Sequence, residues 1–307
     1  MRYYFGGLRL DAAVPLDGLR QAPPGAAAYR AAFTIDVTHG AMPLADTILY
    51  RWVGRYGLTL GRSAGEWLFA SALDGAFLID PEQARIRCIV ADPAGRAWRD
   101  VLVRRVLPRV AILAGAAALH AAAVASDARA ILLLGASGAG KSTLCAMLGT
   151  AGWDVLSEDI SLLWEAGAPH VAPATTGTCL WDDSRAALGL AAARCTPLAG
   201  YDGKSHCQAD QQGGVAPVPL AALVFVQRAP DAAAHMLQRL RAAEALIRAA
   251  QQRVRFNPGD DSGREALDLF ARLRAIVRVT PCYRLTYRGD YAALGTVEPV
   301  LRGLLRA

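Results

Sequence analysis

The chain has 307 residues, of which 53% are hydrophobic and 20% are charged. These proportions are typical of a globular protein with a sizeable core, and they exclude a fibrous or largely disordered chain. The net charge of +6 comes from basic residues spread along the sequence rather than gathered in a stripe, which argues against a nucleic-acid-binding protein.

Strand-like segments alternate with turns over the first third of the chain. Six segments carry the apolar and β-branched residues typical of strands, and Gly, Pro and Asp residues separate them. They are residues 3–10, 32–37, 47–53, 58–60, 67–72 and 76–79. The pattern predicts a small β-rich N-terminal domain over residues 1–97.

A second domain is predicted over residues 98–307. It begins with a helix over residues 98–119 that Pro108 should break or kink, because proline lacks the amide hydrogen of a helical bond. Two strands at 121–125 and 131–134 follow, and then a glycine-rich loop and a helix from residue 141 to about 148. The segment WDVLSEDISLLW then predicts a strand, a turn and another strand.

The last third alternates strands with amphipathic helices. Strands are predicted at 220–227 and 283–287, helices near 233–253 and 264–276, and a closing helix after them. Strands that alternate with helices around a glycine loop predict an α/β nucleotide-binding core.

Six cysteines show neither a C-x-x-C pair nor zinc-site spacing, so all six are predicted to be free thiols. The N-terminal residues lack the apolar core of a signal peptide, and no apolar run approaches about 18 residues. These features predict a cytoplasmic protein without a membrane segment.

The segment GASGAGKS, from Gly135 to Ser142, fits the phosphate-loop pattern G-x-x-x-x-G-K-[ST] at every fixed position. In such a loop backbone N–H groups converge on a phosphate, the lysine reaches the β and γ oxygens, and the hydroxyl binds Mg²⁺. Only two of the 33 basic residues are lysines, Lys141 and Lys204, so Lys141 is a point charge in a chain that otherwise uses arginine. The predicted nucleotide contacts are Gly135, Ala136, Ser137, Gly138, Ala139, Gly140, Lys141, Ser142 and Thr143.

Three further residues are candidates for chemistry. Glu158 and Asp159 follow the predicted strand after the loop helix, where a carboxylate can serve the metal or the attacking group. His120 precedes the strand before the loop strand. Taken alone, it fits a packed core histidine better than a catalytic one.

The segments LHAAAV, GASGAGKST and GWDVLSED, in this order and spacing, resemble the HPr kinase/phosphorylase family. They are more similar to its shorter relatives, some of which phosphorylate lasso-peptide precursors. The resemblance implies an HPr-kinase and phosphoenolpyruvate-carboxykinase type of P-loop core, ATP and Mg²⁺ as cofactors, and a homo-oligomer.

The resemblance also implies roles for single residues. It places His120 beside the transferred phosphate, Lys141 at the γ-phosphate, and Ser142 and Asp159 at Mg²⁺. Asp159 and Glu158 together handle the acceptor hydroxyl and the metal. Because relatives carry two aspartates at this point, which of the two carboxylates is the base stays open. Lys204 matches a lysine often found in relatives and is predicted to contact substrate or phosphate, with a surface turn residue as the alternative.

The motifs together with the resemblance predict an ATP-dependent, Mg²⁺-requiring kinase that phosphorylates a serine of a peptide. The resemblance implies that this serine lies near the C-terminus of a lasso-peptide precursor. The alternatives are an HPr kinase/phosphorylase, whose C-terminal signatures are not recognisable, and a small-molecule kinase. A transporter ATPase or other nucleotide-driven switch fits poorly, because the chain lacks an L-S-G-G-Q signature.

Overall fold

The computed structural model describes residues 1–23, 29–54, 57–210, 213–232 and 235–306. Within these ranges the strands form three sheets. The first nine strands are β1 Arg2–Phe5, β2 Leu8–Ala12, β3 Arg20–Gln21, β4 Ala31–His39, β5 Thr47–Arg51, β6 Thr59–Ser63, β7 Glu66–Ala70, β8 Ala76–Asp80 and β9 Arg85–Val90. They form one sheet in the order β3-β1-β2-β4-β9-β8-β7-β6-β5.

The strand predicted over residues 3–10 is wrong in one respect, because the segment forms a hairpin. Gly6 and Gly7 have φ values of +56° and +94°, and they turn the chain between β1 and β2. Such backbone angles are open to glycine and strained for most other residues. The other predicted strands of this region are confirmed, and β3 and β9 were not predicted.

The helix that follows the first sheet has three parts. They are α1 Ala97–Val101, a π-helical segment Leu102–Val106, and α2 Leu107–Leu113. Pro108 lies in the first turn of α2 and does not break the helix, since the wider π-helical turn precedes it. The helix ends at Leu113 rather than at residue 119, because residues 117–119 pair as a strand.

The remaining strands are β10 Ala117–Leu119, β11 Ala121–Ser126, β12 Arg129–Leu134, β13 Asp154–Ser157, β14 Ser161–Ala166, β15 Ala168–Ala172, β16 Thr178–Trp181, β17 Cys195–Pro197, β18 Lys204–Cys207, β19 Val218–Arg228, β20 Met236–Arg239 and β21 Cys282–Tyr287. The remaining helices are α3 Lys141–Thr150, α4 Asp182–Ala187, α5 Ala242–Gln251, α6 Arg264–Val279 and α7 Glu298–Gly303. Residues 236–239 form β20, so the helix predicted over 233–253 begins only at Ala242. Residues 233–234 lie outside the described residues.

The second sheet carries the phosphate loop at its centre. Its strands run β10-β14-β15-β19-β12-β11-β13, and β21 also pairs with β19 and with β20. β12 is parallel to β19, and β11 is antiparallel to β12. Leu132 and Leu134 of β12 pack with α5 and α6, whereas Ile131 and Leu133 pack with α3 and α7. Helices on both faces of a mixed sheet confirm the predicted α/β core.

The first sheet packs against the helix from residue 97 to 113. Trp98, Val101 and Leu102 are fully buried and share one core with Phe5 and Phe33. The predicted domain boundary therefore falls where a helix packed on the first sheet begins. The division into residues 1–97 and 98–307 stays a prediction.

The third sheet, β16-β18-β17, corrects the cysteine prediction. Cys195 and Cys207 form a disulfide, with Cα atoms 4.0 Å apart on directly opposed positions of β17 and β18. Their pairing depends on strand register, which sequence spacing does not show. The other cysteines are free, as predicted, and all of them are buried: they are Cys88, Cys145, Cys179 and Cys282.

No helix in the described ranges is long and apolar enough to span a membrane.

Candidate functional site

The phosphate loop connects β12 to α3. Gly140 precedes the first residue of α3 with a φ of +89°, and a Cβ at this position would lie 2.0 Å from the hydroxyl of Tyr287. No side chain caps the first turn of α3. The amides of that turn are therefore available to an anion, because they have no partner within the helix.

Lys141 is 8% exposed, and its ammonium group is held by the loop itself. Its Nζ donates hydrogen bonds to the carbonyl oxygens of Gly135 and Ala136, at 2.7 and 3.1 Å. Burial lowers the pKa of Lys141, while the negative charges of Asp159 and Glu158 oppose this shift. A phosphate oxygen that replaced these carbonyls would meet a cation already stripped of most of its water.

The side chains of Ser142 and Glu158 form a hydrogen-bonded pair beside the loop. The Ser142 hydroxyl donates to Glu158 Oε1 at 2.9 Å. The other carboxylate oxygen, Oε2, is buried without a hydrogen-bond partner in the described part of the chain, and an Arg104 nitrogen lies 3.8 Å from it.

The described residues contain no group of three or more His, Cys, Asp or Glu side chains placed to hold a metal. Mg²⁺ at phosphate sites is usually held by one or two protein oxygens together with phosphate oxygens and water. The Ser142 hydroxyl and the Glu158 carboxylate, whose Oε2 accepts no hydrogen bond from the described residues, are oxygens of the kind that such an ion binds.

Asp159 sits at the centre of a three-residue turn. Its φ is +68°, and the Ile160 amide donates to the Glu158 carbonyl at 2.8 Å. Its Oδ1 lies 3.2 Å from His120 Nδ1, and its Oδ2 lies 3.5 Å from a nitrogen of Arg105. Burial alone would raise the pKa of Asp159, but the hydrogen bond from His120 and the charges of Arg105 and Lys204 hold it well below the usual range. The carboxylate is therefore ionised throughout the neutral range.

His120 lies between β10 and β11, and its backbone amide donates to the carbonyl of Gln252 at 2.6 Å. Its side chain is 38% exposed and borders the cavity above the loop. The structure therefore does not place His120 as a packed core residue.

Lys204 begins β18, opposite Trp181 of β16. Its ammonium lies 5.5 Å from the Trp181 ring centroid and 5.3 Å from that of Tyr201, within the range of cation–π attraction. Lys204 borders the same cavity as the phosphate loop. The Cys195–Cys207 disulfide closes the other end of this strand.

One cavity of about 270 Å³ brings most of the predicted residues together. The predicted residues that border it are His120, Ser137, Gly138, Gly140, Lys141, Ser142, Thr143, Glu158, Asp159 and Lys204. Gly135, Ala136 and Ala139 do not border it, and their carbonyl oxygens bind Lys141 and Tyr287 instead. Cys179 also borders the cavity, but burial raises the pKa of its thiol well above the ordinary value, and Glu158 adds to this shift. It is therefore not a candidate nucleophile.

No protein-family model matches the chain, and no curated protein matches it. Among solved structures, the chain is similar to the Hpr(Ser) kinase/phosphatase from Coxiella burnetii, with 12% sequence identity and a TM-score of 0.31. The similarity covers 61% of this chain and 94% of that chain. A TM-score this low does not establish a shared function, so the function proposed below rests on the site itself.

Several residues of the site were not predicted. Arg104 and Arg105, which contact the two carboxylates, lie on the helix predicted over residues 98–119 and were given no role. The sequence signal for such a role was their position between the apolar residues Val103 and Val106, because a charged side chain in a buried apolar segment needs a partner. Four others border the cavity from distant segments and carry no local motif: they are Ser184, Arg228, Tyr287 and Tyr291.

Proposed function

We propose that this chain is an ATP-dependent, Mg²⁺-requiring kinase that transfers the γ-phosphate to a serine hydroxyl of a peptide. The observation that carries the proposal is that a phosphate loop faces two carboxylates and a histidine across one cavity. Phosphoryl transfer needs mainly positioning and neutralisation of charge, and such a cavity provides both.

Ser142 and Glu158 are the proposed metal ligands. Their contact at 2.9 Å, and a Glu158 Oε2 that has no hydrogen-bond partner among the described residues, support this assignment over one that uses Asp159. Mg²⁺ bound there supplies charge neutralisation on the phosphates. Lys141 adds a cation that can move from the loop carbonyls to the phosphate oxygens.

Asp159 is the proposed base. It accepts the serine proton while the serine oxygen bonds to the γ-phosphorus and the bond to the bridging oxygen breaks, which releases ADP. A carboxylate with a lowered pKa is a weak base. In a loose transition state, however, the bond from the serine oxygen to phosphorus is only partly formed, so a weak base is sufficient to accept the proton. His120 and Arg105 hold Asp159 through its two oxygens and so fix its orientation.

Lys204 and Trp181 border the cavity on the proposed acceptor side, and Tyr201 lies against both of them. Trp181 is 46% exposed, and its ring lies edge to face with Tyr201 at 6.2 Å. Exposed aromatic rings beside a cation are typical of surfaces that bind polypeptide. We propose a flexible acceptor, a serine near the C-terminus of a lasso-type precursor peptide, as the resemblance of the sequence motifs also implies.

The proposal is tested by single-turnover transfer from γ-labelled ATP. The enzyme is incubated with Mg²⁺ and the label, and with a precursor peptide, HPr or a panel of small alcohols, with EDTA and Lys141→Ala as controls. Label on a peptide serine is the expected result. Label on HPr alone or on a small molecule keeps the kinase and overturns the peptide acceptor, and release of phosphate to water alone overturns the kinase.

A further inference from the structure

The cavity extends past the phosphate loop on the side opposite the carboxylates. Across the second sheet the strands run β21-β19-β12-β11-β13, and β12 carries the loop. His120 and Glu158 lie at the ends of β11 and β13, on one side of β12. Arg228 and Tyr287 end β19 and β21, on the other side. His120 and Glu158 therefore flank the loop from one side. Arg228 and Tyr287, with Tyr291 four residues beyond the end of β21, form a second set on the other side.

Two tyrosines of the second set are held in place by hydrogen bonds. The Tyr287 hydroxyl donates to the Ala139 carbonyl of the loop at 2.9 Å. The Tyr291 hydroxyl donates to Asp183 Oδ2 at 3.1 Å and lies 3.1 Å from the Ser184 hydroxyl. Although the Tyr291 residue is 39% exposed, these contacts fix its ring as part of the cavity wall.

The same network reaches the first turn of α3. The Ser184 hydroxyl lies 3.2 Å from the Thr143 hydroxyl, next to the predicted metal ligand Ser142. Tyr291 is thus connected through one serine to the helix that holds the phosphates. Its position is fixed relative to the loop before any ligand binds.

Arg228 is an exposed cation in this part of the cavity. Within the described residues its guanidinium forms no hydrogen bond and no ion pair. Its stem lies against Gly289, where a Cβ would come within 2.2 Å of Nε. The glycine therefore allows the guanidinium its present place beside Tyr287 and Tyr291.

We propose that Arg228 and Tyr291 form the subsite for the nucleoside of the triphosphate. The inference rests on the proposed function, because the γ-phosphate must point toward Asp159 for transfer. The nucleoside then extends from the opposite side of the loop, where these two residues lie. A guanidinium and an aromatic ring are both flat, and each stacks on a nucleobase.

The experiment compares ATP with inorganic tripolyphosphate, which has the phosphates and no nucleoside. Affinities for both are measured by calorimetry in Mg²⁺ for the wild type, Arg228→Ala and Tyr291→Leu. Base stacking contributes on the order of 1–3 kcal/mol, so each variant is expected to bind ATP about fivefold or more weakly and to bind tripolyphosphate with unchanged affinity. Arg288→Ala, which removes a neighbouring arginine paired with Asp290, is the matched control and keeps wild-type affinity for both ligands.

Four outcomes overturn the inference. If Arg228→Ala weakens the binding of ATP and of tripolyphosphate equally, Arg228 contacts the phosphates. If ATP affinity is unchanged in both variants, neither Arg228 nor Tyr291 contacts the nucleoside. Tyr291→Phe keeps the ring without the hydroxyl and replaces Tyr291→Leu if thermal unfolding shows the latter misfolded. A wild type that binds ATP no better than tripolyphosphate overturns the subsite and leaves the kinase standing, whereas one that binds neither overturns both.

Discussion

Asp159 has an unusual backbone conformation that separates the roles of two adjacent carboxylates. The turn with φ of +68° directs Glu158 to Ser142 and Asp159 to His120. Asp and Asn adopt this conformation more readily than most residues. An Asn at position 159 therefore keeps the turn and removes the charge.

Asp159→Asn is expected to lower turnover by about 10²-fold or more, because it removes the proposed proton acceptor. ATP affinity should change little, since the loop is untouched. The measurement is single-turnover transfer together with ATP binding by calorimetry. Glu158→Gln is the paired variant and is expected to raise the Mg²⁺ concentration needed for activity. If Asp159→Asn shifts the Mg²⁺ requirement and Glu158→Gln does not, the two roles are exchanged.

Lys141→Ala is expected to abolish transfer and leave the melting temperature close to that of the wild type. The ammonium pays a desolvation cost in the folded protein, as its lowered pKa shows, so its loss removes an unfavourable contribution along with two hydrogen bonds. Lys141→Arg should also be inactive, because the guanidinium is wider than the loop interior. Near-normal transfer by either variant would contradict the phosphate-loop assignment. Calorimetric unfolding and transfer assays supply the two readouts.

At the scale of elements, the hairpin of β17 and β18 determines where Lys204 stands. The Cys195–Cys207 disulfide joins its two strands, and Lys204 faces the cavity from the start of β18. β18 also pairs with β16, but the three strands of this sheet are only three or four residues long, and so small a sheet is only weakly stable by itself. The disulfide is therefore expected to matter for the acceptor side of the site more than for the nucleotide side.

The double variant Cys195→Ser/Cys207→Ser is expected to lose about 2–4 kcal/mol of unfolding free energy, the usual contribution of a disulfide. Transfer to the acceptor should fall while ATP affinity stays unchanged. A reducing agent should reproduce both effects in the wild type and change nothing in the double variant. Loss of ATP affinity in parallel with transfer would show that the hairpin supports the whole cavity instead. Chemical unfolding measures the loss of stability, and transfer and ATP-binding assays with and without a reducing agent measure the effect on the site.

His206 on β18 makes the same hairpin sensitive to acid. Burial, with the nearby charge of Arg104, lowers the pKa of His206 to about 3, from an ordinary value near 6.5. Between these values the unfolded chain binds the proton and the folded chain does not, so stability falls as pH falls from about 6.5 to about 3. His206→Gln should make this fall shallower in denaturant unfolding at about pH 7 and about pH 5. An equal slope in the wild type and in His206→Gln would contradict the assignment.

At the scale of the whole molecule, hydrogen bonds connect the first sheet to the sheet that carries the site. The Gly6 amide donates to the Pro173 carbonyl at 2.7 Å, and Trp164 Nε1 donates to the Gly6 carbonyl at 2.9 Å. The buried Arg20 guanidinium of β3 also donates to the Val155 carbonyl of β13. These contacts cross the predicted boundary at residue 97.

Residues 98–307 expressed alone are therefore expected to fold poorly. Truncation would expose Trp98, Val101 and Leu102, each of which is fully buried in the whole chain. Exposing a large apolar side chain costs about 1.5–3 kcal/mol. The truncated protein should show no cooperative thermal transition and no ATP binding, with the full chain as the control. A fragment that unfolds cooperatively and binds ATP would establish the predicted boundary as that of an independent domain.

Local patterns in the sequence predicted the parts of the molecule whose geometry is itself local. The phosphate loop, the flanking strand and helix, and the strand–turn–strand around Asp159 follow from spacing and glycine chemistry over a few residues. The Gly6–Gly7 turn was also a local signal, which the prediction missed. The disulfide depends on the register of β17 and β18, and the place of Arg228 depends on the pairing of strands far apart in sequence. The roles of the predicted site residues stay predictions, although the structure gathers most of them around one cavity.

The π-helical segment Leu102–Val106 has a consequence for the phase of the helix around its axis. An α-helix turns by about 100° per residue, and a π-helical turn contains one residue more than an α-helical turn. The wide turn therefore takes up one extra residue while the α-helical parts before and after it keep nearly the same rotational phase. Trp98 stays in the core of the first sheet, and Arg104 and Arg105, which lie in the wide turn, contact Glu158 and Asp159. The extra residue thus makes room for two cations at the site without turning the buried face of the helix away from the first sheet.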